Sequence, residues 1–269
     1  MNTLFRKKVF LILEQITARG VSVITVVFLL FLWTLITNLK WIDPLFLPTP
    51  QSVWAAFLEL LHEGYKGSPL GTHIITSLYR LFLSLFYACV TAIPLGILCG
   101  YSKYIRAIFD PIIEFYRPLP PLAYYALLVL WFGIDDKSKV ALLFLSAFPP
   151  LFIATVYSVQ RTPLDRIHAA LSLGASKWKV LSHVIFPGCL PDIITGLRTA
   201  IGVTYSTLVA AEMVAATSGI GWMVLDASKF LRSDIIFVGI ILMGFIAMLM
   251  DGLIRWIQRY KFPWVGIQD

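Results

Sequence analysis

The sequence predicts an all-α integral membrane protein with about six transmembrane helices, and three observations predict it. Of 269 residues, 58% are hydrophobic and only 14% charged, against about a quarter charged in an ordinary soluble domain, so the surplus apolar surface must meet lipid. The apolar residues are gathered into runs approaching the ~20 residues that cross a bilayer as a helix. Most of the 22 Lys and Arg residues fall between alternate runs, the asymmetry that keeps positive charge on the cytoplasmic side.

The first run is Val21 to Leu39, without a charge. The second extends from about Ile74 to Gly100 and carries Arg80 near its outer end. The third, Leu119 to Ile134, is short and marked by Pro120 and Pro121. The fourth, Val140 to Val159, contains Pro149 and Pro150, as the second contains Pro94. Proline inside a membrane helix frees a carbonyl that protein or water must satisfy, so these read either as kinks along a pathway or as ordinary kinked packing. Gly96 and Gly100 form a GxxxG pair, the pattern of a close helix contact. The fifth run, Ile193 to Ala216, carries Arg198 and Glu212, and the sixth, Ile235 to Ile257, carries Asp251 near its end.

One domain is expected, residues 21–269, preceded by a segment 1–20. There Arg6, Lys7, Lys8, Glu14, Gln15 and Arg19 interrupt the apolar pattern. That excludes the clean apolar core of a cleaved signal and suggests a short amphipathic helix over 3–19 on the cytoplasmic surface. With the N-terminus inside, an even helix count puts the C-terminus inside too. Residues 40–73 are then external, rich in Pro and Gly, with a short interfacial helix at Ser52 to His62. Residues 160–192 are the longest internal segment. Thr162 reads as a helix N-cap with Pro163 at the first helical position, and Pro187-Gly188 and Pro191 read as its close.

The net charge of +7 fits retention of positive charge at the membrane face better than nucleic-acid binding. Cys89 and Cys99 lie about 15 Å apart along one helix, too far to bridge, and Cys189 has no partner in an external loop. The sequence contains no GxxxxGK[ST] and no HExxH. His62, His73, His168 and His183 show no ligand spacing, and no Ser/His/Asp or paired-carboxylate arrangement appears. An enzyme is therefore not expected, nor a bound cofactor or metal.

On the fifth helix Thr195, Thr199, Gly202 and Ser206 recur at helical spacing and share one face; Arg198, Tyr205 and Glu212 share a neighbouring face. Arg198 and Glu212 are about 21 Å apart along the axis and cannot pair with each other. Either both snorkel to opposite interfaces, or the helix lines a polar route. A hydroxyl-bearing face without partners in lipid is costly, which suggests a homodimer with this helix near the two-fold axis.

The internal segment decides the class. It reads His168-Ala169-Ala170-Leu171-Ser172-Leu173-Gly174, then nine residues, then Val184-Ile185-Phe186-Pro187. This resembles the EAA loop of ABC importer permeases: EAA, three residues, Gly, nine residues, I-x-L-P. The leading Glu is His168 here, a departure shared with the sulfonate, nitrate and taurine branch. Four further segments resemble taurine-type permeases of that branch: Pro44–Trp54, Phe109–Ile134, Ser172–Val203 and Ser206–Val224. The likeness extends over roughly residues 40–264.

The resemblance implies the type I ABC importer permease fold. It also implies that His168, Ala169, Ala170, Leu173, Gly174, Ala175 and Pro187 belong to a loop that couples to a cytoplasmic ATPase. Expected partners are a second permease copy, two ATPase subunits that bind ATP and magnesium, and a periplasmic binding protein, in the bacterial inner membrane. The translocation pathway is assigned to Thr195, Thr199, Gly202, Tyr205, Ser206 and Glu212. Cargo on this reading is taurine or a related small sulfonate. Strong selection of a zwitterion needs paired cationic and anionic contacts; few are evident in the sequence, so selection is expected in the binding protein. Nitrate, bicarbonate, an alkanesulfonate or a thiamine precursor remain alternatives within the class. An ion-coupled carrier would need an intramembrane titratable relay and usually internal repeats, and only Glu212 and Asp251 offer acids.

Overall fold

The computed structural model describes residues 2–262, with side chains from Gly20 onward. Its helices are α1 (Asn2–Asn38), α2 (Pro50–His62), α3 (Leu70–Tyr101), α4 (Lys103–Tyr116), α5 (Pro121–Phe132), α6 (Asp136–Gln160), α7 (Leu164–Ser172), α8 (Lys177–Val180), α9 (Phe186–Ala215), α10 (Ile220–Lys229) and α11 (Ser233–Lys261). A π-helical turn at Leu181–Ile185 joins α8 to α9. The amphipathic face expected of residues 3–19 and the C-terminal residues 263–269 lie outside the described side chains. The backbone from Asn2 to Asn38 is one helix, so the expected boundary at residue 20 falls inside it.

Among the described residues five helices are long and apolar enough to cross a membrane: Gly20–Asn38, α3, α6, the continuous Lys177–Ala215, and α11. The third apolar run becomes only α5, 12 residues, about 18 Å at 1.5 Å per residue, shorter than the ~30 Å hydrocarbon layer. The expected six are thus five full spans and one short helix. Pro120 and Pro121 do not kink it: Pro120 occupies the cap position and Pro121 the first turn, where a missing N–H costs nothing. Pro94, Pro149 and Pro150 do lie inside α3 and α6.

Helix α6 is the centre of the bundle, packed along α3 on one side and α9 on the other. The GxxxG pair explains the first contact. A Cβ on Gly96 would stand 2.8 Å from Thr155 Cβ, and one on Gly100 2.6 Å from Val159 Cβ, so only a bare backbone lets α3 approach α6 this closely. The expected interfacial helix is α2, capped by Thr49, whose Oγ1 accepts the Ser52 N–H at 3.1 Å, and it packs against α11. Helix α1 stands at the periphery with Val23, Ile24, Phe28 and Phe31 exposed. Trp33 ties it inward by stacking on Phe237 and donating its indole N–H to the Pro48 carbonyl.

Two expected helix signals in 160–192 read differently in three dimensions. Thr162 is not a cap: Pro163 holds that position with φ −60° and ψ 129°, and the Thr162 hydroxyl bonds back to Ser158. Pro187 and Pro191 do not end a helix, because the chain is helical from Lys177 through to Ala215. Pro187 lacks the N–H for the carbonyl four residues back and crowds it; the wider π turn immediately before takes up that mismatch.

Candidate translocation cavity and coupling surface

The short helix α7 buries none of its own residues. His168, Ala169 and Leu171 are exposed, while Ile167, Ala170 and Ala175 lean on the core. Its end is a Schellman motif: Ala175 N–H donates to the Ala170 carbonyl at 3.0 Å and Gly174 N–H to Leu171 at 2.9 Å, with Gly174 at φ +82°. That conformation favours glycine. A Cβ there meets nothing within 4 Å, so the residue is needed for backbone shape and not for close packing within this chain. Leu173 is 89% exposed and Trp178 73%, two large apolar side chains presented to solvent beside the motif. Pro187 is exposed as well, the second residue of α9.

A cavity of about 600 Å³ opens between α5, α6 and α9. Tyr124, Leu145, Ser146 and Val203 line its deeper end, Pro149, Pro150, Ile153, Thr195 and Thr199 its middle, and Tyr116, Arg117, Tyr157, Arg161 and Asp192 its other end. Along α6 from Leu145 to Arg161 it spans about 24 Å. Beyond the deep end Tyr125, Leu128, Leu142 and Ala211 form a separate buried apolar cluster. Of the pathway residues read from sequence, Thr195 and Thr199 are in the cavity wall. Gly202 and Ser206 continue the same exposed strip of α9 above it. Their hydroxyls bond back to their own helix, Thr195 to Pro191, Thr199 to Thr195 and Ser206 to Gly202. The expected cost of unpartnered hydroxyls in lipid is therefore absent, and this face does not by itself demand a second copy.

Tyr205 and Glu212 are not in the cavity. Tyr205 donates to the Met243 carbonyl at 2.9 Å, and Arg198 pairs with Asp251, both contacts to α11. Glu212, 1% exposed, accepts from Arg80 Nη1 at 2.7 Å, from Ser77 Oγ at 2.8 Å and from the Gly221 N–H at 2.9 Å. Arg80, 2% exposed, also holds Asp136 at 2.7 Å and the Ser218 carbonyl at 2.8 Å. Gly219, at φ +119°, sits so close to the Glu212 carboxylate that any side chain would collide with it. This network locks α3, α6, α9 and α10 together at the end opposite α7. Nothing local in the sequence pairs Arg80 with a residue 132 positions away; an unusual charge in each of two apolar runs was the available signal.

Nearby, Asp226 receives Lys66 Nζ at 2.6 Å and the Tyr65 hydroxyl at 3.0 Å. Burial alone would raise the Asp226 carboxyl; these two partners hold it below the usual carboxylate range. The Tyr65 hydroxyl is pushed up to about 12 by burial and by that bond. Arg232 joins Glu59 of α2 and Asp234 of α11, which raise its guanidinium further.

Residues 92–262 match the family described as binding-protein-dependent transport system inner membrane component. The taurine transport system permease protein TauC of Escherichia coli K12 is 46% identical over 91% of this chain and 90% of its own length. The aliphatic sulfonates permease protein SsuC of Bacillus subtilis 168, described as putative in its name, is 33% identical over 87% and 83%. The chain belongs to the binding-protein-dependent permease family. The permease fold is seen again in the inward-facing MetNI methionine ABC transporter, with a TM-score of 0.64 at 14% identity over 76% of this chain and 97% of that one. The permease is accordingly a multi-pass component of the bacterial inner membrane, serving an ABC importer. The residues of the permease not legible as site residues were Arg117, Arg161 and Asp192, each at the edge of an apolar run, where charge is unremarkable on its own.

Proposed function

We propose that this permease forms the membrane passage for taurine or a related small sulfonate, delivered by a periplasmic binding protein and moved at the expense of ATP hydrolysed on a partner subunit. The observation that carries the cargo is the 46% identity to the taurine permease TauC over nine-tenths of both chains. The exposed α7 with Leu173 and Trp178 beside it supports the docking of an ATPase at the cytoplasmic end. Two permease copies meet through the exposed strip of α9, with both termini and residues 160–192 inside, as the positive-inside bias supports. The cavity of about 600 Å³ then serves as this copy's share of the route.

The test is uptake by the complete complex in proteoliposomes, with binding protein and ATP supplied. Labelled taurine accumulates, and an ATPase subunit unable to hydrolyse ATP abolishes it. Refusal of taurine and ethanesulfonate with transport of nitrate overturns the cargo and leaves the importer class standing. Cysteine in place of Lys66 is labelled from outside in intact cells and cysteine in place of Lys177 is not; the reverse overturns the orientation.

A further inference from the structure

We propose that Arg117, Arg161 and Asp192 form a cargo subsite at the α7-side end of the cavity, built for a small zwitterion with a sulfonate at one end and an ammonium at the other. The proposal rests on the reading of this cavity as the route for cargo, and it moves part of the selection from the binding protein into the membrane. Three ionised side chains of both signs line one cavity, yet among the described residues none of the three has an ion-pair partner. Of the other described arginines, Arg80, Arg106, Arg198, Arg232 and Arg255 each hold a carboxylate; Arg166 and Arg259 do not, and neither of those lines this cavity. Neither guanidinium therefore lies within 4.0 Å of the Asp192 carboxylate, and both signs of charge remain available to a ligand in the cavity.

The surroundings fix which charge each group offers. Asp192 accepts the Ser158 hydroxyl at 2.7 Å through Oδ2, which orients the carboxylate and leaves Oδ1 for a donor. Arg161 lies over the Tyr157 ring, 5.7 Å from its centre, which restrains the guanidinium while its N–H edge stays free. Arg117 stands between this cavity and a smaller one of 160 Å³, where Glu114 is also present and Arg106 pairs with Asp110.

A guanidinium fork matches two oxygens of a sulfonate, as it does a carboxylate or phosphate. Asp192 takes the ammonium across the two-carbon spacer of an aminosulfonate, with the cavity's tyrosine rings adding a face for the cation. A plain anion of the same size leaves Asp192 unpaired and is repelled by it, so the site selects against such anions by an unfavourable contact as well as for the zwitterion. The cavity is open, so these contacts are screened and weak, as a route that must release its cargo requires.

The experiment uses the purified permease–ATPase complex without binding protein. The three native cysteines are replaced by alanine and one cysteine is placed at Thr199 in the cavity wall. The alkylation rate of that cysteine is measured against rising taurine or ethanesulfonate. Taurine protects at lower concentration than ethanesulfonate. Arg161→Gln and Arg117→Gln each raise the concentration of either sulfonate needed for half protection about tenfold, the loss expected for one charge-assisted hydrogen bond. Asp192→Asn weakens protection by taurine and strengthens protection by ethanesulfonate, a gain that misfolding cannot produce. Unchanged protection in the double arginine variant, or parallel changes for both ligands in Asp192→Asn, overturns the subsite. Uptake of taurine by the same complex, reconstituted in vesicles with binding protein and ATP, separates the outcomes: taurine carried with protection unaltered removes only the subsite, whereas taurine refused removes the cargo reading beneath it.

Discussion

The two ends of this permease treat polar groups in opposite ways. At the end of Arg80 and Glu212, two nearly sealed charges are satisfied within the chain by Asp136, Ser77, Ser218 and the Gly221 N–H. At the end of α7, Arg117, Arg161 and Asp192 are unpaired around an open cavity, and Leu173 and Trp178 project into solvent. A buried charge survives in a membrane protein only with its partners beside it, so the first end reads as a built-in clasp. Groups left unspent at the second end are affordable only where water, cargo or another subunit completes them. The difference separates residues that hold the helices from residues that deal with something outside the chain, and it can be broken by mutation.

The largest effect is expected from Gly174→Asp. Aspartate is among the L residues that enter the left-handed region at least cost, and space for its Cβ exists within this chain. The variant should insert and fold, melting slightly below wild type because the left-handed backbone at this position costs a side chain about 1 kcal/mol. Uptake should nevertheless fall to background, with ATP hydrolysis lost or no longer stimulated by loaded binding protein, because on the proposed reading a charge and a side chain now stand where α7 docks on an ATPase. Normal ATP-driven uptake from purified Gly174→Asp complex would remove the coupling role of this turn.

Next in size is the clasp. Arg80→Ala strands the Glu212 carboxylate with one hydroxyl and one N–H, and breaking a buried pair this way costs about 3–5 kcal/mol. The expected result is a lower yield and a lower melting temperature in detergent, with uptake per surviving complex retained. The double variant Arg80→Met/Glu212→Leu removes both charges and should recover part of the lost stability. An Arg80→Ala complex that melts normally but no longer transports would place this cluster in the transport cycle and erase the contrast between the ends.

How much of this was legible beforehand follows from the range of each interaction. The Gly96–Gly100 contact was readable because it is encoded within a few residues, as a bare stripe along one helix. The spacing from His168 to Pro187 was readable as a string for the same reason. Pro187 was misread as a stop because its local rule is right only for a regular α-helix, and the π turn at Leu181–Ile185 lies outside that rule. Tyr205 and Glu212 share a helix face with Arg198, yet tertiary neighbours divide them: α11 takes Tyr205 and Arg198, and α3 with α10 takes Glu212. The cavity needed α5, α6 and α9 placed side by side, so its three charges had no common signature in the chain.

The smallest effect tests whether the outlying polar contacts near the clasp are structural alone. Asp226 is buried, but its partner Lys66 is 46% exposed on its side chain, so water screens the pair and its worth is below about 1 kcal/mol. The sign follows from the depressed carboxyl. Its stabilisation is fully present above the ordinary value of 3.8 and is lost as pH falls through the lower folded value. Asp226→Asn should therefore melt a few degrees lower than wild type between pH 5 and 8, a constant gap that closes as pH drops below about 4. The Tyr65 hydroxyl, held up to about 12, stays protonated across that range and adds no pH dependence of its own. Uptake per folded complex should not change. A gap that persists undiminished at the lowest pH at which the complex survives would mean that the carboxylate's charge is not what stabilises this corner. A loss of uptake at unchanged melting temperature would mean that the corner, unlike the clasp beside it, answers to something outside the chain.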